Sequence, residues 1–318
     1  MNFTYDSINI NPEKEFEKIA VKLKKDIVQM LKKRGAVVGV SGGIDSSVVL
    51  AICAKVLGPK KVFAVMMPEK DSSPDSENLA KDLVNKFGVE YVVEDMTGAV
   101  EGFGCYNRRD EAIKRVFPNF DSTYKAKIIL PQDILEKDSL NVFRIKVIAP
   151  NGSEEVIRLP IKEYLQIVAA SNFKQRSRMS MLYYHAESRN YAVIGTGNKN
   201  EHEQGFFVKY GDGGADSKPI AHLFKTQVFQ LASYLGVPEE IQKRTPTTDT
   251  YSAEQTQEEF FFRIPFHQLD RIWYGWEKGV SPEEIAKVMN LSATQVNNII
   301  HDIQRKLKTT EYLRMEPL

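Results

Sequence analysis

The chain has 318 residues, with 43 lysines and arginines against 42 aspartates and glutamates, which gives a formal net charge of +1. This balance argues against a broadly basic nucleic-acid-binding protein, so we expect no nucleic-acid partner. A hydrophobic share of 42% excludes an intrinsically disordered chain. No apolar run approaches about 18 residues, so we expect neither a membrane-spanning helix nor a membrane partner.

The sequence also bears on the cell compartment. Residues 1–14 lack the apolar stretch behind a basic start that marks a secretory signal. Cys53 and Cys105 are too few for a disulfide framework or for a zinc site made of cysteines alone. We therefore expect a cytoplasmic protein.

Apolar periodicity predicts alternating helices and strands along most of the chain. Amphipathic spacing predicts helices at 13–34, 44–57, 73–87, 162–189 and 224–235. Short, continuous apolar runs predict strands buried on both faces at 36–40, 61–67, 90–94 and 191–195. Strands that alternate with helices favour a doubly wound, parallel, Rossmann-like α/β sheet, and we assign residues 1–318 to one such domain.

One segment departs from this alternation. Residues 103–160 contain alternating runs at 141–149 and 156–159 on either side of Asn151-Gly152, a dipeptide typical of a hairpin turn. We interpret 103–160 as an inserted β-hairpin subdomain that carries no chemistry of its own.

The sharpest motif is Ser41-Gly42-Gly43-Ile44-Asp45-Ser46-Ser47, which follows a predicted buried strand and opens a predicted helix. Two glycines let the backbone curl, so that successive N–H groups can point at an anion. The positive end of the helix dipole and three hydroxyl groups reinforce this, so we predict a phosphate cradle. The spacing is neither that of a Walker A loop nor that of a dinucleotide fingerprint. Asp45 would repel phosphate unless a divalent cation joins them, so we predict Mg²⁺ there.

The cradle motif resembles the pyrophosphate loop of the ATP pyrophosphatases, which cleave ATP into AMP and pyrophosphate. Later segments are similar, in order and spacing, to motifs of the ammonia-dependent NAD synthetase family within that group. They are Lys174–Met179, Gly195–Glu201, Lys209–Asp216 and Leu223–Val228. The resemblance implies an adenine nucleotide alpha-hydrolase-like fold and a ligase that forms an amide bond.

The resemblance also implies roles for the residues that match these motifs. Asp45 and Lys225 are implied to be catalytic, and Asp45 and Glu201 to bind the metal; Glu201 lies just past a predicted parallel strand, where α/β proteins bind ligands. The residues implied to bind ATP and pyrophosphate are Gly39, Ser41, Gly42, Gly43, Ser46, Ser47, Arg178, Thr196 and Lys225. The residues implied to contact the dinucleotide are Lys209, Asp212 and Asp216.

The implied reaction joins deamido-NAD and ammonia at the expense of ATP, which is a co-substrate. The nicotinate carboxylate attacks the α-phosphorus, pyrophosphate leaves, and ammonia then displaces AMP from the adenylate. The protein's task is alignment and charge neutralisation by Mg²⁺ and lysines. Glutamine-dependent members carry an additional amidase domain, for which this chain has no room, so we expect free ammonia and leave open a glutaminase acting in trans. The resemblance further implies a homodimer, which fits the apolar helix predicted at 162–189.

This chain departs from the family pattern in one region. Gln257 stands where the family has an aspartate, and Phe260-Phe261-Phe262 replaces a more polar stretch. Because this region lies near the dinucleotide site in the family, one alternative is a related amidoligase that acts on a different carboxylate.

Two further alternatives carry less weight. A tRNA-thiolating relative would need reactive cysteines, and Cys53 with Cys105 is a poor pair for that purpose. Residues 265–318 are expected to form a helical C-terminal extension, in which 281–307 comprises two helices broken at 290–292 and resembles a helix-turn-helix DNA reader. Its charges balance, so we favour a packed helical hairpin.

Overall fold

The structure, a computed structural model, describes residues 3–131, 133–136, 143–248 and 251–316. The α-helices are α1 (Pro12–Lys24), α2 (Ile44–Leu57), α3 (Pro74–Phe87), α4 (Thr97–Gly102), α5 (Cys105–Val116), α6 (Ile161–Arg189), α7 (Lys199–Gln204), α8 (Lys225–Leu235), α9 (Glu239–Lys243), α10 (Phe266–Glu277), α11 (Pro282–Met289) and α12 (Ala293–Thr309). The strands are β1 (Ala36–Gly39), β2 (Val62–Met66), β3 (Glu90–Val93), β4 (Lys125–Ile129), β5 (Arg144–Ile148), β6 (Glu154–Arg158) and β7 (Ala192–Ile194).

The four predicted strands form one parallel sheet in the order β3-β2-β1-β7, which confirms the predicted fold class. Alternate side chains of the strands enter two different cores. Val38 and Ala64 pack with α1, α2 and α8 on one face, whereas Val37 and Val65 pack with α6 on the other. Both faces are therefore covered, which explains why β1 and β2 are continuous apolar runs.

Helix α2 has the predicted bounds, but the first helix is shorter than predicted. After Lys24 the chain continues as a π-helical turn, Lys25–Met30, and residues 31–35 are not helical. The N–H of Leu31 bonds the carbonyl of Asp26, and Lys32 adopts a left-handed conformation with φ +53°. The wide turn ends the helix before Gly35, so the prediction of a helix to residue 34 was wrong at that end.

The hairpin predicted around Asn151-Gly152 is confirmed as β5 and β6, although residues 141 and 142, where its first strand was predicted to begin, lie outside the described residues. Gly152 has φ +83°, which the turn requires. The structure adds β4, which pairs antiparallel with β5 to make a three-stranded sheet, and α5, which packs on α6. The limits that we predict for the insertion stay a prediction.

Helices α10, α11 and α12 share one apolar core around Trp273, Ile285 and Ile299. The break predicted at 290–292 separates α11 from α12, where Asn290 is left-handed. Asn298, which a DNA-reading helix would have to present, is buried. The hairpin thus packs as a structural unit. No helix in the described part of the chain is long and apolar enough to cross a membrane.

Candidate active site

A cavity of about 470 Å³ opens at the carboxyl ends of β1, β2 and β7, where a parallel α/β sheet gathers its ligands. Most of the predicted site residues line it together. They are Gly39, Ser41, Gly43, Asp45, Ser46, Arg178, Thr196, Glu201, Asp212 and Lys225. The fold therefore brings together residues that lie far apart in the chain, from Gly39 to Lys225.

The cradle has the geometry that anion binding needs. Gly43 precedes the first turn of α2 in an extended conformation, and within the described residues no side chain caps that helix end. The first N–H groups of α2 therefore remain available to an anion. Ser46 and Ser47 both donate to the carbonyl of Gly43, at 3.1 and 2.7 Å, which fixes the turn.

Gly42 is required by the close approach of the first turn of α3. Its φ is +73°, and a Cβ at this position would lie 2.4 Å from the carbonyl oxygen of Ser76. Any other residue would push the cradle away from the start of α3.

Beside the cradle lies a charged cluster drawn from three helices. Asp45, on α2, accepts a hydrogen bond from the Lys225 ammonium of α8 and another from Asn198 Nδ2 at 3.0 Å. Asn198 caps α7 and accepts from the Glu201 N–H, while Glu201 Oε2 accepts from the Asn198 N–H at 3.1 Å. This reciprocal capping box fixes Glu201 close to the carboxyl end of β7.

Electrostatics set the protonation states in this cluster. Burial disfavours the Lys225 charge, but Asp45 and Glu201 outweigh burial and hold the pKa of Lys225 above its ordinary value. Burial, together with the charge of Asp45, raises the pKa of Glu201. Lys225 thus stays a cation, whereas the pKa of Glu201 is raised to about 8, so that its carboxyl needs further positive charge beside it to ionise at neutral pH.

The donor set fits a hard divalent cation. The carboxylates of Asp45 and Glu201 line the same cavity, and a cation between phosphate and protein would relieve the repulsion that raises the pKa of Glu201. Across the described residues, no three or more His, Cys, Asp or Glu side chains form a metal-binding group. Asp45 and Glu201 would supply two ligands, and phosphate and water the rest, as is usual for Mg²⁺.

The other predicted residues lie outside the cavity lining. Ser47 is fully buried, and its hydroxyl is held by Gly43. The Lys209 ammonium donates to the carbonyls of Tyr312 and Met315, at 3.3 and 3.2 Å. Asp216 accepts from the Tyr183 hydroxyl at 2.9 Å and from the Val193 N–H at 2.8 Å.

Three residues in or beside the cavity carry polar groups that the sequence did not single out as site residues. Asn198 holds Asp45 and Glu201, and the pattern Asn-x-x-Glu before a helix was a usable signal for its cap. Gln257 donates to Glu201 Oε1 at 3.1 Å and lies 3.4 Å from the Lys225 ammonium. Arg244 lines the cavity and donates to Ser76 Oγ at 3.0 Å; nothing local in the sequence distinguishes it from a surface arginine.

The buried Asp270 supports the charged cluster through hydrogen bonds to residues next to it. Asp270, on α10, accepts hydrogen bonds from the Thr226 N–H at 2.7 Å and from Asn200 Nδ2 at 2.6 Å. Asn200 in turn accepts from the Lys225 N–H at 3.0 Å. Full burial raises the pKa of Asp270 to about 6, although these hydrogen bonds oppose the rise.

Known proteins resemble this chain over most of its length. The chain matches the family model described as NAD synthase over residues 16–130 and 134–317. The NH(3)-dependent NAD(+) synthetase of Rhizobium meliloti is 46% identical over 315 residues, covering 99% of this chain and 94% of that protein. The synthetase of the same name from Thermotoga maritima is 38% identical over 266 residues, covering 83% of this chain and 88% of that protein.

Solved structures share the fold at lower identity. The NMN synthetase of Francisella tularensis superposes with a TM-score of 0.67 at 23% identity, covering 98% of both chains. The NH3-dependent NAD synthetase of Campylobacter jejuni, in complex with nitrate, superposes with a TM-score of 0.63 at 22% identity, covering 97% of this chain and 99% of that one. From the match to the family model and the identity to curated relatives, this chain belongs to the NAD synthase family.

Proposed function

We propose that this chain converts deamido-NAD, ammonia and ATP into NAD⁺, AMP and pyrophosphate. The observation that carries the proposal is the placement of the Asp45–Lys225 pair directly beside an uncapped, glycine-rich helix start in one cavity. The family membership and the names of the relatives point to the same reaction. A cradle for phosphates next to a fixed cation is what departure of pyrophosphate requires.

The chain's own residues mainly orient and neutralise. The α2 N–H groups and the serines of the cradle hold the pyrophosphate end of ATP, and Lys225 balances the charge that gathers there as the bond to the α-phosphorus breaks. The incoming carboxylate oxygen becomes bonded to that phosphorus. Ammonia then attacks the carbonyl carbon, AMP leaves with the oxygen, and the nitrogen loses a proton to give the amide.

Asp45 and Glu201 would hold Mg²⁺, which, when bound, neutralises phosphate oxygens and shapes the polyphosphate. Asn198 serves this purpose without binding the metal, because it fixes both carboxylates. Lys209, Asp212 and Asp216 are proposed to contact the dinucleotide. Asp212 lines the cavity, whereas the other two require that the substrate extend beyond it.

Assembly, nitrogen source and location complete the proposal. Helix α6 exposes Leu165, Phe173 and Tyr184, which supports a homodimer that covers this face. Free ammonia is the proposed donor, with delivery by a glutaminase acting in trans as the alternative. Cys53 and Cys105 are both free and buried, which supports a cytoplasmic location. Light scattering of the purified protein measures the dimer directly.

The first experiment measures pyrophosphate release with Mg²⁺, ammonium and deamido-NAD. We expect amide and AMP to form in step with pyrophosphate, and the Asp45→Ala variant to be inactive. Pyrophosphate release with another carboxylate but not with deamido-NAD would keep the ATP chemistry and contradict the substrate. In that case the chain would be an amidoligase for a different acid.

A further inference from the structure

One wall of the cavity is a loop without regular secondary structure, residues 67–73, which runs from the carboxyl end of β2 toward α3. Met67, Pro68 and Ser72 of this loop line the cavity. Arg178 of α6 reaches the loop from inside the cavity and donates to the carbonyl of Met67 at 3.1 Å. Such a loop has no strand or helix ladder to hold it, and apart from isolated backbone bonds, such as that from the Met96 N–H to the Pro68 carbonyl at 2.8 Å, its position depends on side-chain contacts.

Those contacts come from a buried ionic cluster behind the loop. Glu69 and Asp71 both accept from the ammonium of Lys174 on α6, at 3.0 and 2.6 Å. Asp71 also accepts from Arg109 Nη1 at 2.6 Å, and Glu69 from the Tyr106 hydroxyl at 2.6 Å. Tyr106 and Arg109 belong to α5, within the segment that we predict to be an insertion.

The cluster is shielded from water and contains closely paired opposite charges. Two carboxylates of the loop face two cations, Arg109 also pairs with Asp110 at 2.8 Å, and the exposed fractions are 5% for Glu69, 7% for Arg109 and 3% for Lys174. Burial disfavours the ionised form of Asp71, but Lys174 and Arg109 more than offset it and hold the pKa of Asp71 below its ordinary value. Loss of one cation leaves the buried carboxylates with less compensating charge, which forces the loop to move or to admit water.

We propose that Arg109 and Tyr106 of α5 are positioning residues. Through Asp71 and Glu69 they hold the 67–73 loop in place as one wall of the nucleotide cavity. Lys174 joins them to the helix that also carries Arg178, so loop and helix face the nucleotide as one unit. Helix α5 thereby acts on nucleotide binding although its own residues do not line the cavity. The proposal rests on the proposed function only in naming ATP as that nucleotide.

The test compares Arg109→Met with Arg115→Met in the full-length protein. Arg115 lies on the same helix but pairs with Glu163 and Gln166, away from the loop. Calorimetry with ATP and Mg²⁺, without any acceptor, should show about tenfold weaker binding for Arg109→Met and an unchanged affinity for Arg115→Met. Because no acceptor is present, a wrong acceptor assignment would leave this result intact.

Two readouts separate positioning from general loss of stability. Hydrogen exchange should speed up in peptides spanning 67–73 of Arg109→Met while the β1 and β7 peptides keep their wild-type rates. In the full assay, KM for ATP should rise about tenfold with kcat within about twofold of wild type. Affinity within about twofold of wild type with unchanged loop exchange would overturn the proposal, as would a fall in kcat at unchanged KM.

If Arg109→Met does not fold, Tyr106→Phe decides. It removes one hydroxyl and leaves every charge of the cluster paired, so we expect about threefold weaker ATP binding and a local rise in loop exchange. Wild-type affinity and exchange in this variant would contradict the role of α5.

Discussion

The parallel sheet and the antiparallel sheet of this protein bury their side chains differently. Along β2 of the parallel sheet every residue is buried, because helices cover both faces. Along β5 of the antiparallel sheet buried residues alternate with more exposed ones, so that Ile145 and Val147 face a core while Arg144 and Lys146 face outward. The buried central strands of the parallel sheet can place functional side chains only at their ends, whereas the antiparallel sheet has one face that is open to solvent.

This difference explains where the site lies. All of the parallel strands end toward the same edge, so loops that are distant in sequence meet there and bring Asp45, Glu201 and Lys225 together. The antiparallel sheet contributes a wall: Phe143, just before β5, lines the cavity and stacks on Tyr164 with ring centroids 4.0 Å apart. Catalysis should therefore be sensitive to the parallel side, and stability to the inner face of the antiparallel side.

The largest effect is expected from Lys225→Met. Removal of the ammonium that bonds Asp45 leaves the departing pyrophosphate without this fixed cation, so kcat/KM should fall by about a thousandfold or more. Steady-state measurement of pyrophosphate release checks this.

Lys306→Met is the matched control. Lys306 is also a buried lysine paired with an aspartate, Asp302, at 2.7 Å, but it does not line the cavity. Its loss should lower stability and leave kcat/KM of the folded protein near that of wild type. Equal loss of activity in both variants would mean that Lys225 matters only for folding.

The next effect tests the antiparallel side. Ile145→Ala removes three buried carbon atoms from the core beneath the sheet and should lower the free energy of unfolding by about 2–5 kcal/mol. Denaturant unfolding measures this loss. Below the transition, kcat of the folded enzyme should stay within about twofold of wild type, because β5 supplies a wall and no charge to the reaction. A large fall in kcat without loss of stability would break the distinction between the two sheets.

The sequence determined the parallel half well because its signals are local. Gly43 and Gly58 bracket α2, and the latter has φ +85°, so both ends of that helix were marked by residue type. Strand β4 was not predicted. It is a run of only five residues, Lys125–Ile129, and its pairing with β5 depends on contacts remote in the chain.

The same reasoning separates the site residues. The cradle is continuous in sequence, and its residue types alone predict phosphate binding. The catalytic role of Lys225 followed only from the family resemblance, and its pairing with Asp45 was not predicted, since a single sequence does not show which lysine folds back onto which acid. Gln257 is a further case, because its contact with Glu201 joins residues that are 56 positions apart and exists only in the folded chain. Lys209 shows that the position of a residue within a motif does not fix the direction of its side chain, since its ammonium turns toward the C-terminal segment.

A smaller effect concerns the support of the parallel-side cluster by Asp270. Because burial raises its pKa to about 6, above the ordinary value of 3.8, the folded state holds this proton more tightly than the unfolded state does. This contribution to stability is fully present below pH 4, decreases between pH 4 and 6, and is lost above pH 6. The total change amounts to at most about 3 kcal/mol.

Asp270→Asn removes the titration, so the stability difference between wild type and variant should shift against wild type as the pH rises from 4 to 7. Unfolding curves across that range measure the slope, which is informative even if the amide weakens the bond to Thr226. A parallel pH dependence in the two proteins would show that Asp270 is ionised in the fold with no penalty.

The smallest effect is expected from Lys146→Ala, one position from Ile145 but on the outer face of β5. Lys146 pairs with Glu154 of β6 at 2.7 Å, and half of the Glu154 side chain is exposed, so solvent screens the pair. The free energy of unfolding should change by less than about 1 kcal/mol, and KM for ATP should not change. The contrast with Ile145→Ala measures the two faces of one strand against each other. A loss of unfolding free energy for Lys146→Ala as large as that for Ile145→Ala would mean that the outer face is covered in solution. Only a second packed surface could make an outward-facing lysine contribute so much to stability.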